Sequence, residues 1–271
     1  MAPPNEPSAE RARPECARRE YKAMPMFGIH INSLSLQETF DAIDKQIKSG
    51  QSGFIVTPNI DHICILSEDK DFQKAYQTAF LVLPDGTPLM WAAKLLGKPL
   101  KEKISGSDLV YALAEHAAEQ GHSLYLLGAA PGIAEKAAKI LQKTYPGLII
   151  AGHYSPPLGF EKNPRQREEV IQRLKAAAPD ICYVALGCPK QDHWNAQYHH
   201  ETGIPVSIGI GASLDFIAGT VQRAPVWMQK SGLEWFFRLC QEPRRLWRRY
   251  LIQDSKFIPI FLKELLARAK Q

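Results

Sequence analysis

The sequence predicts an α/β protein: a doubly wound, Rossmann-like parallel sheet with helices on both faces, followed by a helical, basic C-terminal appendage. Three observations predict it. Short unbroken apolar runs alternate about six times with helix-spaced segments, the pattern of strands buried on both faces of a parallel sheet. Several of these runs end in small or polar residues just before a helix begins, where open α/β sheets bind ligands. After Gly219 the texture changes to amphipathic helices rich in Trp, Phe and Arg.

Residues 1–25 mix Pro, Glu, Arg and Ala with few large apolar side chains, which predicts a disordered leader. Residues 26–219 form the expected main domain and 220–271 the appendage. Met26, Ile29 and Ile31 suggest an alternating strand. Ser35 and Glu38 have the spacing of a capping box, opening a helix that Gly50 ends. The run 53–56 reads as a buried strand broken at Thr57-Pro58-Asn59, with two short helices after it. Phe80-Leu81-Val82-Leu83 is the next strand, stopped by Pro84 and turned by Asp85-Gly86. Residues 87–96 read as helix, and Ser105 to Asp108 cap a longer one reaching about Gln120. Strands follow at 123–127, 148–151, 180–186 and 205–210, with helices at 133–145, 166–177 and from Gln191.

Composition limits the class. Of 271 residues, 45% are hydrophobic and 23% charged, ordinary for a soluble globular protein. Five scattered cysteines without C-x-x-C spacing suggest a reducing compartment and no disulfide framework. No signal-peptide core or membrane-length apolar run is present. The expected location is therefore cytoplasmic. From Gln229 onward ten basic side chains face four acidic ones, so this stretch carries +6 of a total of +5 and the rest is −1. A phosphate-bearing partner is implied there: membrane surface, nucleic acid or diphosphate substrate.

The strand ends carry the candidate chemistry. Asp85 stands where a strand ends and a helix is about to begin, able to take a proton from a hydroxyl; its plainer role is to turn the chain and cap the helix. Thr57 and Asn59, Gly86, Gly128 and Gly132, Gly187 and Gln191, and Gly211 and Asp215 share such positions. Glycines let backbone approach a ligand, and helix N-termini offer N–H groups to phosphate. The turn from Gly128 to Gly132 lacks the dinucleotide glycine spacing, and the Walker lysine is absent. Neither histidines nor cysteines form a ligand set: His62 begins a helix, His193 neighbours the cleft, and His199-His200 read as a solvated face. In the tail, Arg244, Arg245, Arg248 and Arg249 fall on one helical face opened by Pro243, and Leu246, Trp247, Tyr250 and Leu251 on the other. Arginine at all four stripe positions suits bidentate phosphate contact.

Ordered blocks covering nearly all of residues 27–250 resemble the WecG/TagA/CpsF family of bacterial glycosyltransferases. They are Thr57-Pro58-Asn59, Leu83-Pro84-Asp85-Gly86, Ser105-Gly106-Ser107-Asp108, Leu186 to Gln191 with Trp194, Gly209 to Phe216, Arg223-Ala224-Pro225, Gly232 to Trp235, and Arg238 to Tyr250. The resemblance implies transfer of a sugar from a UDP-sugar to a saccharide on polyprenyl diphosphate. It further implies inversion, no metal or other cofactor, and a peripheral site on the inner face of the cytoplasmic membrane. It makes Asp85 the general base, with Thr57, Arg238, Arg245 and Arg248 in the catalytic set. Asn59, Gly86, Ser107, Asp108, Gly128, Gly132, Gly187, Gln191, Gly211 and Asp215 are the expected substrate-binding positions. Asp192 departs from the family's usual Glu. Nucleic acid is not an expected partner, and a homo-oligomer is compatible with the reading. Two rival classes stand beside it: a nucleotide-binding oxidoreductase, disfavoured by the missing glycines, and a non-enzymatic membrane module built on the tail, for which Asp85 has no use.

Overall fold

The computed structural model describes residues 20–268, with the side chains of Lys230 and Arg245 outside the described set. Most of the predicted leader therefore lies outside the described residues. Strand β1, Ala23–Met26, pairs antiparallel with β2, Ile29–Asn32. The single alternating strand expected here is thus a hairpin. Phe27 and Gly28 both take positive φ, 54° and 77°, as a tight primed turn between twisted strands requires. Apolar alternation continues through the turn, so periodicity alone hides it.

Helix α1 (Leu36–Ser49) opens on the predicted capping box and closes on left-handed Gly50. It leads to β3 (Phe54–Val56), α2 (Ile60–Leu66), α3 (Lys70–Thr78) and β4 (Leu81–Val82). Then come α4 (Thr87–Leu95), α5 (Gly106–Gln120), β5 (Ser123–Gly128), α6 (Ile133–Thr144) and β6 (Ile149–Tyr154). The main unit finishes with α7 (Pro164–Ala177), β7 (Ile181–Ala185), α8 (Lys190–Thr202), β8 (Val206–Gly209) and α9 (Ser213–Ala218).

Strands β3 to β8 form one six-stranded sheet in the order β4-β3-β8-β7-β5-β6, parallel throughout. Successive strand residues feed opposite layers: Ile55 joins one core with Leu124 and Leu126, whereas Phe54 and Val56 pack beneath α2, α3 and α4. Tyr125 and Leu127 face α7 and α8. Burial on both faces explains why these strands read as unbroken apolar runs. The hairpin is tied to the sheet edge by the buried Asn32 side chain, which accepts from the Val82 N–H at 2.8 Å.

After Gly219 the described chain is helical: α10 (Val226–Lys230), α11 (Glu234–Gln241), α12 (Pro243–Arg248) and α13 (Phe257–Arg268), with a π-helical turn at Arg249–Gln253. Helix α13 is apolar on two sides. Phe257, Ile260, Phe261 and Leu265 pack onto the core beside Phe27, while Ile258, Leu262 and Leu266 are exposed. Lys256 bonds Glu68 at 2.6 Å and Arg268 donates to the Leu95 carbonyl at 2.9 Å. No helix among the described residues is long and apolar enough to cross a membrane.

Candidate active site

The carboxyl ends of β4, β3, β8 and β7 open into a cleft of about 740 Å³ that the tail closes from the other side. Its body wall includes Thr57, Asn59, Asp85, Gly86, Ser107, Gly187, Gln191 and Gly211. The tail contributes Arg238, Arg249 and Tyr250. Ligands lie at this edge in open α/β sheets because the connections part there.

Each body residue is held by its local backbone. Asp85 donates its N–H to the Pro58 carbonyl at 2.9 Å, joining the β3 and β4 ends. Gly86 follows at φ 88°, in a region where a side chain would be strained. Asn59 caps α2, accepting from the His62 N–H at 3.3 Å. Gln191 is buried and accepts from the Gly211 N–H at 2.9 Å. A Cβ on Gly209 would meet the Gln191 amide at 2.7 Å, so glycine there is what admits the glutamine. Ser105 caps α5, and Arg223 reaches its first turn, 3.0 Å from Ser107 Oγ and 2.5 Å from Asp108 Oδ1.

Electrostatics separates the carboxylates. Burial, reinforced by Glu234, pushes Asp85 up to about 7, against the opposing pull of Lys103 and Arg223. Burial would also raise Asp108, but bonds from Ser105 and Arg223 outweigh it and hold that carboxyl below its ordinary value. Asp85 is therefore placed to exchange a proton near neutrality, and Asp108 stays ionised as an anchor. Opposite them, Arg249 Nη2 lies 3.0 Å from Asp61. Burial raises Asp61 despite that arginine. Asp254 beside it is pushed to about 7 by burial and then by the Asp61 charge. The Nε atoms of Arg238 and Arg249 are buried without hydrogen-bond partners among the described residues, leaving donors for an anion.

Nine of the expected site residues line the cleft: the eight body-wall residues named above and Arg238. Gly128 and Gly132 do not: one ends and the other follows β5, which β8 and β7 separate from β3. A Cβ on Gly128 would come within 2.4 Å of the Ala185 carbonyl oxygen, so its glycine serves strand packing. Asp215 also lies outside the cleft lining, engaged by Thr220 at 3.2 Å. Asp108 acts on the wall through Arg223. Arg248 is exposed with its guanidinium 5.4 Å from the Trp247 ring centroid, and the Arg245 side chain lies outside the described set.

The predicted arginine stripe is split: Arg248 is exposed, whereas Arg249, where a π turn begins, meets Asp61. Leu246 is buried, whereas Trp247 and Leu251 on the expected apolar face are exposed. Arg249, Lys103, Asp61 and Asp254 are cleft residues that motif reading does not single out. Membership of the stripe is the one signal for Arg249. His199, expected on a solvated face, is buried 5.1 Å from Phe54, and burial lowers it to about 4. The fold also brings His62 to the neighbouring pair Cys188 and Asp192, distant from it in the chain, with one ligand atom each within 4.8 Å of the others.

The sequence matches the family described as "Glycosyl transferase WecG/TagA/CpsF family" over residues 24–271. It is 32% identical to an N-acetylglucosaminyldiphosphoundecaprenol N-acetyl-beta-D-mannosaminyltransferase of Bacillus spizizenii, over 83% of this chain and 84% of that one. Proteins of the same name from Bacillus subtilis and Staphylococcus aureus are each 30% identical, over 87% and 80% of this chain and 89% and 81% of theirs. The chain belongs to the WecG/TagA/CpsF family of glycosyltransferases.

Proposed function

We propose that this protein transfers a sugar from a UDP-sugar to a saccharide carried on polyprenyl diphosphate, with inversion, without a metal, at the inner face of the cytoplasmic membrane. The relatives' names support an N-acetylglucosaminyl-diphosphoundecaprenol acceptor and an N-acetylmannosaminyl donor. The observation that carries the reading is Asp85: a carboxyl held near 7 in a cleft that also presents Lys103, Arg238 and Arg249.

An inverting transfer needs a base that removes the acceptor's hydroxyl proton on the face opposite the leaving group. The acceptor oxygen then bonds to the anomeric carbon as the bond to UDP breaks, and the proton ends on Asp85. Charge grows on the departing diphosphate, and preorganised cations stabilise it. Arg238 and Arg249, with unpartnered Nε donors, fill that role, while Thr57 and Gln191 hold the sugar side of the cleft. The exposed faces of α12 and α13, with Trp247, Ile258, Leu262 and Leu266, lie on the lipid surface that carries the acceptor. UDP released from a panel of UDP-sugars in the presence of that acceptor tests the assignment. Release with none of the panel would refute it.

A further inference from the structure

A cluster at the cleft wall, His62 and Cys188 with Asp192 behind them, plays no part in the transfer just described. His62 and Asp192 are buried, at 5% and 1% exposure, and Cys188 carries a free thiol. One ligand atom from each lies within 4.8 Å of the other two. A second observation points to something missing. Asp192 Oδ2 is buried with no hydrogen-bond partner among the described residues, an arrangement that folded proteins rarely leave without a bound group. The imidazole is already oriented, since His62 Nδ1 meets the Tyr76 hydroxyl at 2.5 Å. With the ring proton on Nδ1 donated to Tyr76, Nε2 keeps a free lone pair, the usual outer-sphere arrangement of a metal-binding histidine.

We propose that His62, Cys188 and Asp192 form a binding site for one thiophilic divalent cation of the zinc class, with a coordination position open toward the cleft. The donor set decides the class: one nitrogen, one sulfur and one carboxylate oxygen suit zinc-like ions, whereas calcium and magnesium take oxygen. Donors around tetrahedral zinc stand roughly 3.3–3.8 Å apart, given metal–ligand bonds of about 2.0–2.3 Å, so small side-chain movements complete the site. Two of the ligands, His62 and Cys188, also line the cleft, which gives the ion a route in. Binding forms the metal–sulfur bond as the Cys188 thiol loses its proton to solvent. It joins α2 to the turn that begins α8, and so fixes the backbone from which Gln191 projects. The site is independent of the proposed transfer chemistry.

The test uses the full-length chain stripped with a chelator and titrated with Co²⁺. The expected result is one equivalent bound, a thiolate-to-cobalt charge-transfer absorption, and loss of that band when Zn²⁺ is added. Cys188→Ser removes the band, Asp192→Asn weakens cobalt binding tenfold or more, and Cys240→Ser, at an exposed control position, leaves both unchanged. Zn²⁺ also raises the melting temperature of the parent chain and not that of Cys188→Ser. Circular dichroism checks that each variant folds; if Cys188→Ser does not, Asp192→Asn carries the test. Absence of the band at stoichiometric cobalt, or a band that persists in Cys188→Ser, overturns the proposal, as does unchanged affinity in Asp192→Asn.

Discussion

Replacing Asp85 by Asn removes a charge that the fold keeps at a cost, so the variant's stability should diverge from the parent's as pH rises. Burial moves this carboxyl from 3.8 to about 7. Between those values the folded chain holds a proton that the unfolded chain has released, so stability falls with rising pH. Above about 7 both states are ionised and the penalty is complete. From about pH 5 to about pH 8.5 the folded chain crosses about two pH units of that window, at about 1.4 kcal/mol each. Solvent in the open cleft screens the charge, leaving roughly 1.5–2.5 kcal/mol. At roughly 2–4 °C per kcal/mol for a chain of this size, the melting temperature of Asp85→Asn relative to the parent should rise by roughly 3–10 °C between the two pH values. Differential scanning fluorimetry of both proteins reads this directly. A gap that stays constant with pH would refute the reasoning, because it would mean that Asp85 titrates alike in the folded and unfolded chains.

Two further outcomes concern the tail. Arg249→Gln should lower kcat/KM by roughly 10²-fold or more, through lost stabilisation of the leaving diphosphate. Asp61→Asn, which frees the guanidinium but keeps it, should cost less in the same steady-state assay; equal losses would make the arginine a tether only. Because α13 packs Phe257 and Phe261 into the core, deleting the tail would confound membrane binding with unfolding. The cleaner change is Trp247→Ser with Leu262→Ser at exposed positions. With about 1.5–3 kcal/mol at stake for each large apolar side chain, binding to anionic vesicles should fall about tenfold or more by co-sedimentation. Unchanged binding would remove that face from the membrane.

The sheet was legible because all its strands but the edge strand β6 are buried on both sides: Phe54 to Val56 and Leu124 to Leu127 leave no polar residue to blur the run. Caps such as Ser35 and Ser105 were equally plain, since their chemistry is local. What sequence could not convey was lateral order. Gly128 and Gly132 look like ligand-binding turn residues, yet β5 lies beyond β8 and β7 from the strand that carries Thr57. The hairpin was hidden because Phe27, an unexpected residue for positive φ, occupies the turn. On the helical wheel Arg249 joined Arg248 in one broad stripe, yet neighbours on a helix stand about 100° apart, and here one guanidinium is exposed while the other meets Asp61. The pairing of Arg249 with Asp61 joins residues distant in the chain, which no motif marks.

The most direct measurement of the central claim is transfer itself, followed as UDP released with N-acetylglucosaminyl-diphosphoundecaprenol as acceptor, across pH, for the parent chain and Asp85→Asn. The parent's rate should climb with pH to a plateau with a midpoint near the Asp85 value of about 7. Asp85→Asn should lose roughly 10²–10⁴-fold in turnover and the pH dependence with it, while still binding the UDP-sugar. A variant that turns over within tenfold of the parent, on the same pH profile, would contradict the assignment of Asp85 as the base.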